Sequence, residues 1–304
     1  MTEQPTTIRL AGGAQGFNWL PVFVAEEQGM FARNGLRIEY LRMGSVEGAT
    51  AAVRDGRADL AITPPEGAIV DHVAGGALRI IGANSDRLPM SMVARPGIAT
   101  AAALKGKRIG TSSLTEGTAL YAAALLERAG LGRDDYEFVI AGVHTARWAA
   151  LQQDEIDAAP QPAPWNFLAE AAGYGLVGEI PDVLPEIVFA ALIGDGTWIA
   201  ENRALVTRVV DAMAAGHAFV NDPINDAATL PIYQRITTPD DAGLATKGFE
   251  YTRALGMWPD GLRVSPSALT ATIDVMIRAG LLAPTQRAAA ESTVDRTLAV
   301  ATSR

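Results

Sequence analysis

The chain contains no cysteine. That absence removes disulfides, thiol nucleophiles, thiolate metal sites and iron–sulfur clusters together. Histidine is nearly as scarce. His72, His144 and His217 are the only three, in unrelated segments and without a His-x-x-x-His spacing. A histidine metal site or a Ser-His-Asp triad therefore has little support, and no metal or cofactor is expected. Lys and Arg form no run, and the formal net charge is −9. Such a field repels duplex nucleic acid and anionic membrane, so no nucleic-acid partner is expected. No stretch reaches the roughly 18 apolar residues that span a bilayer, so membrane insertion is not expected either. The opening residues, MTEQPTTIRL, lack the basic start and apolar run of a secretory leader. The chain is thus expected to be cytoplasmic if Met1 is its native start, and periplasmic or cell-surface if a leader has been removed.

What is present is a core-forming composition with an internal repeat. Of 304 residues, 49% are hydrophobic and 19% charged, enough for one large domain or two ordinary ones. RADLAITPP, from Arg57 to Pro65, returns as EIDAAPQP, from Glu155 to Pro162. The surrounding segments repeat as well. TIRLAGG alternates like a strand and runs into a Gly-rich loop, then a helix opened by Pro21 and stopped near Asn34-Gly35, then the strand LRIEYL. KRIGTSS, the helix around ALYAAALLER, Gly130-Leu131 and the strand YEFVIAG follow the same order. A second helix follows in each half, capped by Ser45 in one and expected to be capped by Thr145 in the other. The repeated phrases then read as short strands covered on both faces, each leading through Pro into a helix.

Strand–helix–strand–helix–strand, twice, predicts an α/β protein of two lobes, each a mostly parallel sheet flanked by helices. Ligands bind at the carboxyl ends of such strands, so the cleft between the lobes is the expected site. Leu78–Ala83, Met90–Ala94 and Ile187–Ile193 read as further strands, with hinge crossings near Ser91–Arg95 and Phe189–Gly194. The helical segment after Thr197 has no strands between its helices and is expected to pack on the first lobe. The expected division is 1–91 with 195–304 as lobe I and 92–194 as lobe II.

FVAEEQGMFARNGLRIEYL, AAVRDGRADLAITPP, LKGKRIGTSS, ALLERAGL and AALQQDEIDAAPQP resemble the solute-binding proteins of ABC importers. The likeness is to the group that binds alkanesulfonates, taurine, nitrate and thiamine precursors. It covers roughly residues 7–282, and Gly29–Tyr40 with Leu104–Lys107 carries it best. The resemblance implies a periplasmic-binding-protein fold. A small anionic or aromatic molecule, of sulfonate, carboxylate or pyrimidine class, would be held between closing lobes and presented to a membrane permease. It also implies a monomer and favours a periplasmic or cell-surface location. The same scaffold carries enzymes. A sulfinate desulfinase and fungal pyrimidine synthases use Cys, which this chain lacks. A metal-free cytoplasmic enzyme acting on an aromatic or sulfur-containing acid is the alternative, with Glu66, Asp86, Glu116 or His144 as acid or base.

Candidate ligand residues lie where strands end. The first loop offers Gln15, Phe17, Asn18 and Trp19, aromatics to stack and amides to hydrogen-bond. Trp19 or Phe17 could equally staple the helix start into the core. Gly44, Ser45, Thr63, Pro64 and Glu66 precede later helices of the first lobe, and Ser112, Ser113, Thr115 and Thr118 sit at the start of one in the second. Free N–H groups at such ends favour anions, although plain capping also explains a Ser or Thr there. His144 and Arg147 flank Thr145. A cation in a first turn opposes the helix dipole, so Arg147 is expected to meet an anion, a carboxylate of this chain or a ligand. Gln161 and Trp165 follow the second repeated phrase on the facing lip.

Overall fold

A computed structural model describes residues 4–298. The first run comprises β1 (Thr6–Gly12), α1 (Leu20–Glu27), α2 (Met30–Arg33), β2 (Leu36–Arg42), α3 (Val46–Arg54), β3 (Leu60–Thr63), α4 (Glu66–Val73) and β4 (Leu78–Ser85). The second comprises β5 (Met90–Ala94), β6 (Arg108–Thr111), α5 (Thr118–Arg128), β7 (Glu137–Ile140), α6 (His144–Gln152), β8 (Ala158–Pro162), α7 (Trp165–Ala171) and β9 (Gly175–Glu179). β10 (Ala190–Asp195) then leads into α8 (Gly196–Glu201), α9 (Arg203–Asn221), α10 (Asp226–Thr237), α11 (Ala242–Ala254), α12 (Pro266–Arg278) and α13 (Arg287–Glu291).

The strands form two five-stranded sheets, ordered β2-β1-β3-β10-β4 and β7-β6-β8-β5-β9. The plan is the same in both. Three strands run parallel, and an antiparallel strand from a distant part of the chain sits fourth. β5 is therefore a full member of the second sheet and β10 of the first, rather than hinge segments. The chain crosses between sheets at 86–89 and again within 180–189. β10 also begins later than the sequence suggested. Val188 N–H is bonded to the Thr272 hydroxyl instead of a strand neighbour.

The repeated phrases do the same job in both sheets. Asp59 accepts from the backbone N–H of Arg9 at 2.8 Å and pairs with its guanidinium at 2.6 Å. Asp157 accepts from the backbone N–H of Arg108 at 2.9 Å and pairs with Arg95 and Arg108. Each aspartate thus ties the start of the third strand to the neighbouring first strand, at the edge away from the cleft.

The later helices lie mainly against helices of the first run. α9 lies on α1 and α2, α10 on α1, and α13 on α4. Gly216 of α9 lets two helices approach closely, since a Cβ there would lie 2.3 Å from the Pro21 carbonyl oxygen. Two helices also reach the second lobe, α11 against α7 and α12 against α5. Among the described residues no helix is long and apolar enough to cross a membrane.

Candidate functional site

The carboxyl ends of β1, β3, β6 and β8 converge on a cavity of about 80 Å³ between the sheets. The first lobe lines it with the Gly13–Ala14 loop, Phe17, Asn18, Thr63 and Pro64; the second with Ser112, Thr118, Val143, His144 and Arg147. Phe189, in the second passage between the sheets, closes one wall. Its ring stacks on Phe17 with centroids 5.8 Å apart. Among the described residues no acidic side chain lines the cavity.

Arg147 dominates the chemistry. It is 3% exposed, on the first turns of α6, and forms no ion pair among the described residues. Its Nε donates to the Pro160 carbonyl at 3.0 Å and its Nη1 to the Gly142 carbonyl at 2.8 Å. These two bonds fix the guanidinium and leave Nη2 over. Burial lowers its pKa to about 9, so the group remains a cation at neutral pH. The sequence left its partner open between an internal carboxylate and a ligand; the fold supplies carbonyls and no carboxylate.

The start of α6 strengthens the positive field. The helix begins at His144 with Val143 as its N-cap, not at Thr145, which lies exposed inside the first turn. Val143 adopts the extended backbone of a cap (φ −71°, ψ 170°) but has no side-chain acceptor to offer. The first-turn N–H groups are thus without a side-chain cap, and a helix of nine residues directs its positive end toward the cavity. His144 contributes no charge. Burial first, and the Arg147 cation second, push its pKa down to about 3, so it is neutral. Its ring lies edge-on to Phe17 at 6.2 Å and 5.4 Å from the Trp165 ring.

The remaining sequence candidates divide. Phe17, Asn18, Thr63, Pro64, Ser112, His144 and Arg147 line the cavity. Gln15 and Trp165 do not, but each keeps a buried donor without a partner, Gln15 Nε2 and Trp165 Nε1. Trp19 lies fully in the core, over Gly12, where a Cβ would stand 2.2 Å from Trp19 Cζ2. Ser45 is spent on its helix, accepting from Gly48 N–H at 3.0 Å, and Gly44 turns the chain at φ +76°. Ser113 accepts from Thr115 N–H and Glu116 N–H, and Thr115 points to solvent. Gln161 is fully buried beneath α6. With its amide oxygen toward Trp148 N–H (3.1 Å) and its nitrogen toward the His144 carbonyl (3.3 Å), it holds that helix in place. Glu66 faces away from the cavity, toward Tyr121 and Glu116.

Sequence reading missed Phe189, Met90 and Val143 as lining residues. Phe189 looked like one more apolar residue of a buried strand, with nothing to mark it as lying before that strand. Thr118 Oγ1 accepts the Ser112 N–H at 2.9 Å and brings both hydroxyls to the lining. A further support is Asn84, fully buried, whose Nδ2 donates to the Asn18 carbonyl at 2.6 Å and holds the aromatic loop.

Two parallel-stranded lobes with a cation-bearing cavity between their strand ends define a two-lobed binding fold of the periplasmic-binding-protein type. The chain belongs to the NMT1/THI5-like family, whose model matches residues 16–225. The resemblance read from the sequence is thereby borne out. Among curated proteins none matches. Solved structures do. The ligand-binding component of an ABC-type import system from Staphylococcus aureus, solved with zinc bound, superposes with a TM-score of 0.82 at 14% identity, over 98% of this chain and 99% of that one. The alkanesulfonate-binding protein SsuA from Xanthomonas axonopodis pv. citri, bound to MOPS, gives 0.75 at 16% identity, over 96% and 99%. The periplasmic nitrate-binding protein NrtA from Synechocystis PCC 6803 gives 0.75 at 13% identity, over 97% and 87%. At these identities the likeness establishes the fold.

Proposed function

We propose that the chain is the solute-binding component of an ABC importer and captures a small organic anion, a sulfonate or carboxylate, between its lobes. One observation carries the reading: a buried Arg147, bonded only to carbonyls, in a cavity without acidic residues on a protein of net charge −9. An isolated buried cation is costly, and a ligand that supplies the missing charge recovers that cost. The uncapped start of α6 and the hydroxyls of Ser112 and Thr118 add donors for the remaining anion oxygens. Phe17, Phe189 and Met90 make the rest of the wall apolar, which suits an organic body better than a bare inorganic ion. Because His144 is neutral, a single negative charge matches the site better than two. The sulfonate- and nitrate-binding relatives are consistent with an anion, and the nitrate-binding one is described as periplasmic. We place the hinge in the passages 86–89 and 180–189, and the partner of the closed form in a membrane permease.

Capture works by population shift, since only a closed form brings Arg147 and the Phe17 loop to the same molecule. A thermal-shift panel of sulfonates, carboxylates, nitrate and pyrimidines tests this. A cognate anion at ~100 times its dissociation constant stabilises the fold by about 2.7 kcal/mol. Neutral pyrimidines are expected to leave the midpoint unchanged. Consumption of an aromatic or sulfur-containing acid by the protein alone would favour a catalyst on this scaffold instead.

A further inference from the structure

One of the polar contacts that join the lobes outside the ligand cavity pairs two carboxyl groups. Glu66, at the start of α4, comes from the first lobe; Glu116, in the loop before α5, comes from the second. They line one separate cavity of about 430 Å³. Glu66 is 1% and Glu116 8% exposed, and the Oε2 atom of each has no hydrogen-bond partner. The Tyr121 hydroxyl of α5 donates to Glu66 Oε1 at 3.2 Å, across the lobe boundary. The seat of Glu116 needs a glycine: a Cβ on Gly67 would stand 2.7 Å from Glu116 Oε1. Loop and helix are thus fitted to each other, and both carboxyl groups line the one cavity.

The surroundings do not neutralise the pair. From α3 come Glu47, which adds like charge, and Arg54, which stands 3.4 Å from Asp71 and is half exposed. From α4 comes Asp71, already engaged with Arg54, and from α5 comes Tyr121, a donor but no cation. Leu281 covers the remaining side. Two carboxylates, each with a buried oxygen that has no partner, and one half-exposed cation leave an excess of negative charge at the contact. Among the described residues no third carboxylate, histidine or cysteine joins them in the kind of group that holds a metal. A proton is the smallest charge that resolves the conflict, as in other carboxyl pairs that share a site.

We infer that Glu66 and Glu116 form a proton-dependent latch, taking up a proton as the lobes close and opposing closure when both are ionised. Burial pushes Glu66 up to about 7, and burial together with the neighbouring Glu66 pushes Glu116 up to about 8. In an open form water reaches both groups and they return toward 4.5. The sign follows. The closed form binds more protons, so closure is favoured at low pH. That advantage is lost as pH rises from the ordinary carboxyl range through about 7 to 8, and above that the pH dependence levels off. Each proton taken up changes the closed-to-open ratio by up to about tenfold per pH unit within this window.

The inference rests on the reading that the protein works by closing, but not on which ligand it binds, so its test uses none. The cysteine-free sequence accepts two site-specific spin labels directly. Asp55→Cys and Asp134→Cys are exposed, one on each lobe. The inter-lobe distance is measured from about pH 5 to 9. The wild-type background is expected to show a growing long-distance population as pH rises. Glu116→Gln and, separately, Glu66→Gln are each expected to weaken the pH response, because one buried acid remains, and the double variant is expected to stay closed throughout, because a neutral amide stands for each protonated acid. A pH-independent distance in the parent, or an undiminished response in the double glutamine variant, overturns the latch. Closure restored at high pH by added calcium, but not by sodium chloride at the same ionic strength, also overturns it in favour of a metal. If one variant does not fold, the others carry the comparison. None of these outcomes touches the anion reading, which stands or falls on Arg147.

Discussion

Arg147→Met is expected to weaken anion binding by about two orders of magnitude or more. Removing one partner of a buried, hydrogen-bonded charge pair costs roughly 2–5 kcal/mol, and each 1.4 kcal/mol is tenfold in affinity. The ligand-free protein should suffer far less. Methionine removes a charge that burial disfavours, which is neutral or stabilising in many proteins. It also strips the Pro160 and Gly142 carbonyls of their donors, at about 1–3 kcal/mol for each group left unsatisfied. These effects oppose one another, so the unfolding free energy without ligand should move by about 2 kcal/mol or less in either direction. The diagnostic result is a near-normal ligand-free melt that no anion raises. Arg147→Lys should recover only part of the affinity, because a point charge cannot keep two carbonyl bonds and still offer a third donor in the same plane. Calorimetric titration and denaturant melts on the same samples separate the two effects.

Trp19→Ala is expected to do the opposite: a loss of about 3–5 kcal/mol of stability with little change in affinity. Trp19 has no exposed surface and packs against Phe23 and Tyr40, with ring centroids 6.2 Å and 6.3 Å away. Its removal leaves an indole-sized void in the first lobe beside Gly12. It lies two residues beyond Phe17, which lines the ligand cavity. A result in which Trp19→Ala binds as weakly as Arg147→Met at matched folded fraction would mean that this side chain reaches the ligand after all. Urea melts give the first quantity and titration of the folded fraction the second.

The contrast between those neighbours shows what the sequence could and could not reveal. Order and repetition were legible because they depend on period and turn chemistry. Met90–Ala94 was read as a strand with the bounds it has, and Asp59 and Asp157 were recognisable as counterparts at strand starts. Facing was less legible. Phe17 and Trp19 share a loop rich in glycine, and only the packing of α1 on β1 decides which enters the cavity. Thr145 has the chemistry of a cap, yet the backbone turns into α6 two residues earlier, so Val143 takes that position and the helix end stays open. Gln161 looked available because it ends a strand, but β8 passes beneath α6 and the amide is consumed there. Phe189 carried no signal, since an apolar residue near a buried strand says nothing about which end it occupies. Arg147 was visible as an electrostatic anomaly, a cation in a helix's first turn. The fold sharpened that anomaly by leaving it without an internal carboxylate.

The central claim is that Arg147 waits for an anionic ligand between the lobes. A crystal of the protein with the strongest hit of the anion panel tests it most directly. The account predicts density in the inter-lobe cavity, with an anion oxygen within hydrogen-bond distance of Arg147 Nη2 and of the first-turn amides of α6, and the organic body against Phe17 and Phe189. An anion seated on the outer surface, with a carboxylate of this chain turned onto Arg147, would contradict it.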